Sequence, residues 1–354
     1  MTRTALILGA TGGIGGVVAS RLLQSGWTVR ALVRDGSSAR LPAGLQPVIG
    51  DALDARTVSG AAAGTELLVH AVNPPGYRDW GRLVLPMLDN SIAAAKASGA
   101  RLLLPGTVYN YGPDVFPLID ETAPQHPRTR KGAIRVEMEG RLRTATDTGD
   151  LRVLIVRAGD FFGPGAANNW FGQGLVKPGA RPTIIHNPGA RGVGHQWAYL
   201  PDVAETMIRL VERDALSAFE TFHMDGHWDA TGDMMTNAIV RALGDPTVPV
   251  RRLPWWLLKF AGLVATTPRE LLEMRYLWQA PVRLENARLL ATLGKEPHTP
   301  LDEAVRTTLI AMGCLSPANQ GLGSHGIANR SRANSRHILA AAAEMTSRNQ
   351  RCAG

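Results

Sequence analysis

The sequence predicts an α/β fold, a doubly wound parallel sheet followed by a smaller, mainly helical C-terminal lobe. Three observations predict it. Short β-branched runs alternate with longer helical stretches through the first half of the chain. The first of those runs ends in a glycine-rich turn that opens a helix. After about residue 160 the rhythm changes to loops rich in glycine, proline and asparagine, and then to helices. Strands that alternate with helices argue for a parallel sheet covered on both faces, because each crossover lays a helix on the sheet.

In order, strands are expected at Ala5–Leu8, Thr28–Val33, Gln46–Ile49, Leu67–Ala71, Arg101–Leu104 and Arg152–Val156. Helices are expected between them at Ile14–Gln24, Trp80–Ala97 and Ile134–Thr146, with Gly26 and Gly99 standing where a helix should end. The later loops are 163–169, 177–182 and 187–194. A helix over 202–213, a strand over 221–224 and helices over 231–243, 255–264, 268–278 and 300–312 follow. The expected organisation is a dinucleotide-binding domain over 1–160 and a substrate-binding lobe over 161–313 that can return elements to the first. Residues 314–354, rich in Ser, Asn, Gly, Ala and Arg, read as a disordered tail.

Composition removes several function classes. The formal charge of +8 suggests nucleic acid, but five arginines and one acid after residue 313 place +4 of it in the tail. The body shows no basic stripe with interleaved aromatics, so no nucleic-acid partner is expected. Cys314 and Cys352 are the only cysteines, which leaves the body without a disulfide framework, a cysteine-based metal site or a catalytic thiol. The run Ala5–Leu8 passes straight into glycines and reads as a strand, not a signal peptide. The apolar stretch 255–265 is too short to span a bilayer and Lys259 interrupts it. A cytoplasmic protein with no membrane partner and no metal is the expectation.

The turn Gly9-Ala10-Thr11-Gly12-Gly13-Ile14-Gly15 follows a strand and opens a helix. Glycine lets the turn take unusual dihedrals and lets a pyrophosphate approach the backbone, while the helix N-terminal amides face the phosphates. This is the signature of a Rossmann-type domain that binds a nicotinamide dinucleotide. At the end of the second strand, Val33 stands where an NAD enzyme carries an acid, and Arg34 follows. A guanidinium can clamp a 2′-phosphate in bidentate fashion, which favours NADP(H) over NAD(H). Asp35 keeps NAD(H) open. Asp51, after the third strand, could accept from the adenine amino group or cap a helix.

With the further motifs, the chain resembles the extended and atypical short-chain dehydrogenases, the NAD-dependent epimerase/dehydratase superfamily. Gly50-Asp51-Ala52 is similar to the family's adenine-contacting segment, and Leu68-Val69-His70-Ala71 to its fourth-strand signature. Thr107-Val108-Tyr109-Asn110-Tyr111-Gly112 resembles the segment that carries the catalytic Ser/Thr. Arg157–Gly165 and Trp197–Ala204 resemble two later motifs. The resemblance reaches to about residue 312. It implies a small-molecule substrate, a role for Ala71 beside the cofactor, and a homodimer.

The family's Tyr-x-x-x-Lys signature is altered. Lys131 stands at the tyrosine position and Arg135 at the lysine position. Hydride transfer to a carbonyl leaves an alkoxide that must be protonated. Lys131 could serve as a buried amine beside Arg135, since burial and a neighbouring cation both disfavour an ammonium. Tyr109 or Tyr111 could serve instead. Thr107 would orient the substrate and Arg135 would hold the cofactor ribose. Sugar-nucleotide members carry Asn at the position of Asp160 and commonly Arg near that of His195, and both help to hold a diphosphate. Asp160 would repel one, His195 would hold it less firmly, and Arg191 could compensate. Trp197 and other aromatics (Trp80, Trp170, Phe161, Phe162, Trp255, Trp256) suggest an apolar substrate wall or ordinary core. The expectation is NADP(H)-dependent chemistry on a small, moderately apolar carbonyl or alcohol. A nucleotide-sugar epimerase or dehydratase and a non-catalytic redox sensor stay as alternatives.

Overall fold

Strand β1 (Thr4–Leu8) lies at the middle of a seven-stranded sheet. Its neighbours are β2 (Thr28–Val33) and β4 (Leu67–His70). Outside these run β3 (Gln46–Ile49) on one side, and β5 (Arg101–Thr107), β7 (Arg152–Ala158) and β11 (Phe219–His223) on the other. The order is β3-β2-β1-β4-β5-β7-β11, and every pairing is parallel. The computed structural model describes residues 3–74, 79–165, 169–213, 215–261 and 266–317.

Both faces of the sheet are covered, which is why its strands read as apolar runs and not as alternating ones. On one face Ile7, Val29, Val69 and Leu154 pack with α1 (Gly13–Gln24) and α5 (Leu200–Val211). On the other, Leu6, Leu68 and Leu102 pack with α2 (Ala55–Ala62), α3 (Trp80–Ser98) and α4 (Arg130–Asp147). Successive residues of one strand thus serve opposite layers. Asp54 caps α2 by accepting from the amides of Arg56 and Thr57; the sequence reading had left this helix out.

Beyond residue 160 the chain does two things. It returns α5 and β11 to the first layer system, so the boundary at 160 does not divide the main sheet from the rest. It also builds a second core from Phe162, Phe171, Trp197, Tyr199, Met235, Trp278 and Leu309. Three small sheets knit that core: β8 (Asp160–Phe162), β10 (His195–Tyr199) and β12 (His227–Asp229); β9 (Ile185–Asn187) with β13 (Val250–Arg252); and β6 (Leu118–Ile119) with β14 (Arg283–Leu284). Helices α6 (Met234–Leu243), α7 (Trp255–Ala261), α8 (Thr266–Glu273), α9 (Ala287–Leu293) and α10 (Leu301–Ala311) complete it. The helix expected over 268–278 stops at Glu273, and a tight 3₁₀ turn at Arg275–Trp278 follows. Residues Met1–Ser316 form one compact unit. The segment read as a tail lies, after residue 317, outside the described residues.

Candidate active site

Strand order reverses at β1, so a crevice opens at the C-terminal ends of β1 and β4, the place where open α/β sheets bind ligands. The glycine turn closes tightly against it. Gly9 has φ +97°, and a Cβ there would stand 2.4 Å from the Ala71 carbonyl oxygen. A Cβ on Gly15 would stand 2.3 Å from the Gly9 carbonyl oxygen. Ala71 is fixed by donating its N–H to Leu8 at 2.9 Å. Thr11 and Gly12 are exposed, and Gly13 and Ile14 half-buried, at the start of α1. No side chain caps this helix and its first turn holds no acid. Its leading amides are therefore offered to an anion. A backbone cradle that excludes Cβ atoms and presents helix amides fits a dinucleotide pyrophosphate.

Arg34 is exposed just past β2 and makes no side-chain hydrogen bond or ion pair among the described residues. The Asp35 carboxylate instead accepts from the Gly36 amide in its own loop, at 2.9 Å. Asp51 is exposed and accepts from the Leu53 amide at 2.9 Å, which makes it a turn residue in this structure. Ala52 is buried, and its carbonyl accepts from Asn90 at 2.9 Å. The Arg135 guanidinium lies 5.4 Å from the centre of the Trp80 ring. It also faces His70. Burial, then this cation, pushes His70 down to about 3.

Thr107 ends β5. Its hydroxyl accepts from the Tyr109 amide at 3.3 Å and lies 3.5 Å from Asn110 Oδ1. Lys131 lies in the first turn of α4, which is brought against the same segment by Gly132; a Cβ there would stand 2.3 Å from the Tyr109 carbonyl oxygen. Lys131 is buried, and its charge is paired. Its Nζ stands 4.0 Å from Glu273 Oε2 and its backbone N–H donates to Glu273 Oε1 at 3.1 Å. The ion pair ties α4 to α8.

The two tyrosines part company. Tyr111 is completely buried. Its hydroxyl accepts from Arg157 Nη1 at 2.6 Å and lies 3.1 Å from His223 Nε2, and burial pushes its ionisation far up. It serves the core and is removed from the candidates for proton transfer. Tyr109 is half-buried, and its hydroxyl donates to Asp160 Oδ1 at 3.0 Å. The other carboxylate oxygen, Oδ2, lies 2.9 Å from His195 Nε2. Trp278 stacks on the His195 ring, with centroids 3.7 Å apart and planes 11° from parallel.

Asp160 and His195, both read as substrate residues, therefore meet in one buried chain with Tyr109. Trp197 is 2% exposed and packs on Phe162, Phe171, His195 and Trp278. Trp80, Trp170 and Phe162 are core residues likewise. Arg191 is exposed before β10. Two residues absent from the sequence reading complete the site, Glu273 and Trp278. Neither carried a local signal, because each acts on a partner far away in the chain.

Residues 9–161 match the NAD(P)H-binding family. The chain is 29% identical over 263 residues to a 3-diazoavenalumate denitrifying reductase from a Streptomyces species, covering 70% of this chain and 84% of that protein. Among solved structures it is similar to the UDP-glucose 4-epimerase of Thermotoga maritima in complex with UDP-glucose (16% identity, TM-score 0.68, 87% of this chain and 98% of the other). It is also similar to the UDP-N-acetylglucosamine 4-epimerase of Bacillus cereus (15% identity, TM-score 0.67, 90% and 99%). Residues 9–161 thus carry the likeness to the NAD(P)H-binding family, and the chain as a whole shares the fold of these two epimerase structures.

Proposed function

We propose that the protein is an NADP(H)-dependent oxidoreductase that interconverts a small, moderately apolar carbonyl compound and its alcohol. When bound, the nicotinamide supplies or takes up hydride. Gly9, Thr11, Gly12, Gly13, Ile14 and Gly15 would hold the pyrophosphate, Asp51, Ala52 and Ala71 the adenosine side of the crevice, and Arg135 the ribose nearest the chemistry. Arg34 would take the 2′-phosphate, and its guanidinium, unengaged among the described residues beside a self-satisfied Asp35, is what supports NADP(H) over NAD(H). Thr107 would orient the substrate oxygen.

The observation that carries the choice of substrate is the buried Asp160 carboxylate, held between Tyr109 and His195. A buried anion opposes a diphosphate. This weighs against the epimerase and dehydratase reading, although the structural relatives handle such substrates. Titration with NADPH and then NADH, followed by turnover of aromatic and aliphatic aldehydes, ketones and alcohols, tests the proposal. Tight NADPH binding with no turnover on that panel would sink it and favour a sensor.

A second reading has its own support. The Streptomyces relative is named for removing nitrogen from a diazo compound. Hydride added to the carbon of an aryl diazonium ion expels dinitrogen as the C–N bond breaks, and no oxyanion is left to protonate. That chemistry dispenses with a tyrosine acid, and at its usual place this chain carries Lys131, ion-paired with Glu273. A carboxylate such as Asp160 would also suit a cationic substrate. NADPH-dependent dinitrogen release from 4-methoxybenzenediazonium tetrafluoroborate would favour this reading over the carbonyl one.

A further inference from the structure

The polarity of the hydrogen bonds around Asp160 says more than the presence of the residues. Tyr109 can donate only one proton, and it donates it to Asp160 Oδ1 at 3.0 Å. The carboxylate's second oxygen takes His195 Nε2 at 2.9 Å, so the histidine carries its proton on Nε2. The alternative proton position, Nδ1, is buried with no partner among the described residues. A bare nitrogen is the less costly occupant of such a place than an N–H. Trp278 stacked on the ring, with Trp197 at its edge, holds it in this orientation. Asp160 itself is 6% exposed.

With its proton committed to Asp160, the Tyr109 hydroxyl meets any further partner as an acceptor. It is therefore arranged to accept a hydrogen bond, not to give one. We infer that Asp160 is the proton acceptor of the reaction, working through Tyr109, and that His195 is its positioning residue. The inference rests on the carbonyl and alcohol reading above.

In alcohol oxidation the substrate O–H proton passes to the Tyr109 oxygen while the Tyr109 proton passes to Asp160 Oδ1. The carbon–hydrogen bond breaks with its electron pair leaving as hydride to NADP⁺, and the C=O bond forms. The products are the carbonyl compound, NADPH and a protonated Asp160. Reduction runs the same transfers backwards, with the Asp160 proton delivered through Tyr109 to the developing alkoxide. His195 donates to Oδ2 throughout and keeps Oδ1 turned to the tyrosine. The relay thus supplies from β8 and the segment after β5 what the altered position at Lys131 does not.

Two measurements test this. The first needs no substrate: ¹⁵N-edited NMR of the histidine side chains, with His195 assigned through His195→Gln, should show its proton on Nε2. Asp160→Asn should move that signal. A proton on Nδ1 would overturn the arrangement. The second uses 4-nitrobenzaldehyde with NADPH, and 4-nitrobenzyl alcohol with NADP⁺. Tyr109→Phe and Asp160→Asn should each lower kcat about a hundredfold or more, with NADPH affinity and KM within about threefold. His195→Gln, which keeps an N–H for the carboxylate, should retain kcat within about tenfold, and His195→Leu should fall as far as Asp160→Asn. Full kcat in Tyr109→Phe would refute the relay and leave the oxidoreductase reading intact. No wild-type turnover of either compound would overturn the carbonyl reading, and the relay with it as a catalytic device, whatever the NMR shows of its geometry.

Discussion

Lys131 Nζ stands 4.0 Å from Glu273 Oε2, which pairs the first turn of α4 with the last residue of α8. The Lys131 side chain is 7% exposed and that of Glu273 25%. The pair clamps the start of α4 to the end of α8, and a clamp has a different mutational signature from an acid. Lys131→Gln should lower thermal stability by a few degrees while kcat on an accepted substrate stays within about fivefold. A double-mutant cycle with Glu273→Gln should return a coupling of about 1 kcal/mol. Thr107→Ala, by contrast, should cost roughly tenfold to hundredfold in kcat by freeing the substrate oxygen. A loss in Lys131→Gln as large as in Thr107→Ala would put the lysine back into the chemistry.

The cofactor cradle makes the second prediction. Gly9→Ala must place a Cβ 2.4 Å from the Ala71 carbonyl oxygen at a φ of +97°. Strain of that kind costs on the order of 1–3 kcal/mol, and relieving it must shift the turn or the end of β4. Calorimetry should find dinucleotide affinity reduced more than tenfold. Gly36→Ala has no atom within 4 Å of its Cβ but takes up the same strained φ, +72°. It should lower stability and leave affinity for NADH nearly unchanged.

The third prediction concerns the coenzyme's 2′-phosphate. Arg34→Ala should weaken NADPH about tenfold or more and leave NADH within about twofold, because only the former gives the guanidinium a dianion to hold. Equal losses for both coenzymes would remove Arg34 from the site.

These predictions draw unequally on the sequence. The glycine turn was legible because a strand, a turn and a helix each left a local mark, and the main strands were legible because burial on both faces makes them continuous apolar runs. Strands β6, β8, β9, β12, β13 and β14 have two or three residues each, too few for a period. Asp160 and His195 could be singled out by position, but their bond could not, since it depends on how β8 and β10 pair in parallel. Glu273 and Trp278 were invisible for the same reason. Tyr109 and Tyr111 were indistinguishable in the sequence, and only the fold takes one hydroxyl to Asp160 and buries the other against Arg157 and His223.

Buried histidines set the pH dependence of stability. Burial first, and then the Arg135 and Arg157 cations respectively, hold His70 and His223 at about 3; burial, then His298, holds His227 at about 4. In the unfolded chain each titrates near about 6.5. Between these values the unfolded state binds more protons, so stability rises with pH through that window and is lost as pH falls from about 6.5 towards 3. Burial raises Glu121 and Glu296, whose linkage has the opposite sign. Urea midpoints should therefore fall between pH 7.5 and pH 5, and fall less in His223→Gln, where one of the depressed groups is gone. An unchanged slope in that variant would contradict the assignment.

Arg157, near the C-terminal end of β7, joins Glu139 of α4 to Tyr111 and His223. Its Nε donates to Glu139 Oε1 at 3.0 Å, and its Nη2 donates to Glu139 Oε2. Nη1 donates to the Tyr111 hydroxyl at 2.6 Å and to His223 Nε2 at 2.9 Å. His223 can accept there because its Nδ1 donates to the Ile119 carbonyl at 3.1 Å. Each side-chain nitrogen and oxygen of Arg157, Glu139, Tyr111 and His223 has at least one partner, and both charged residues are under a tenth exposed. Removing one partner strands a buried charge. Glu139→Ala should therefore cost about 3–5 kcal/mol in urea unfolding, while Glu139→Met combined with Arg157→Met should cost less than either single change. NADPH affinity should be unaltered in whichever variants fold, because this network supports the lobe and not the phosphate cradle. A double variant as unstable as the sum of the singles would mean that the pair contributes through packing and not through charge.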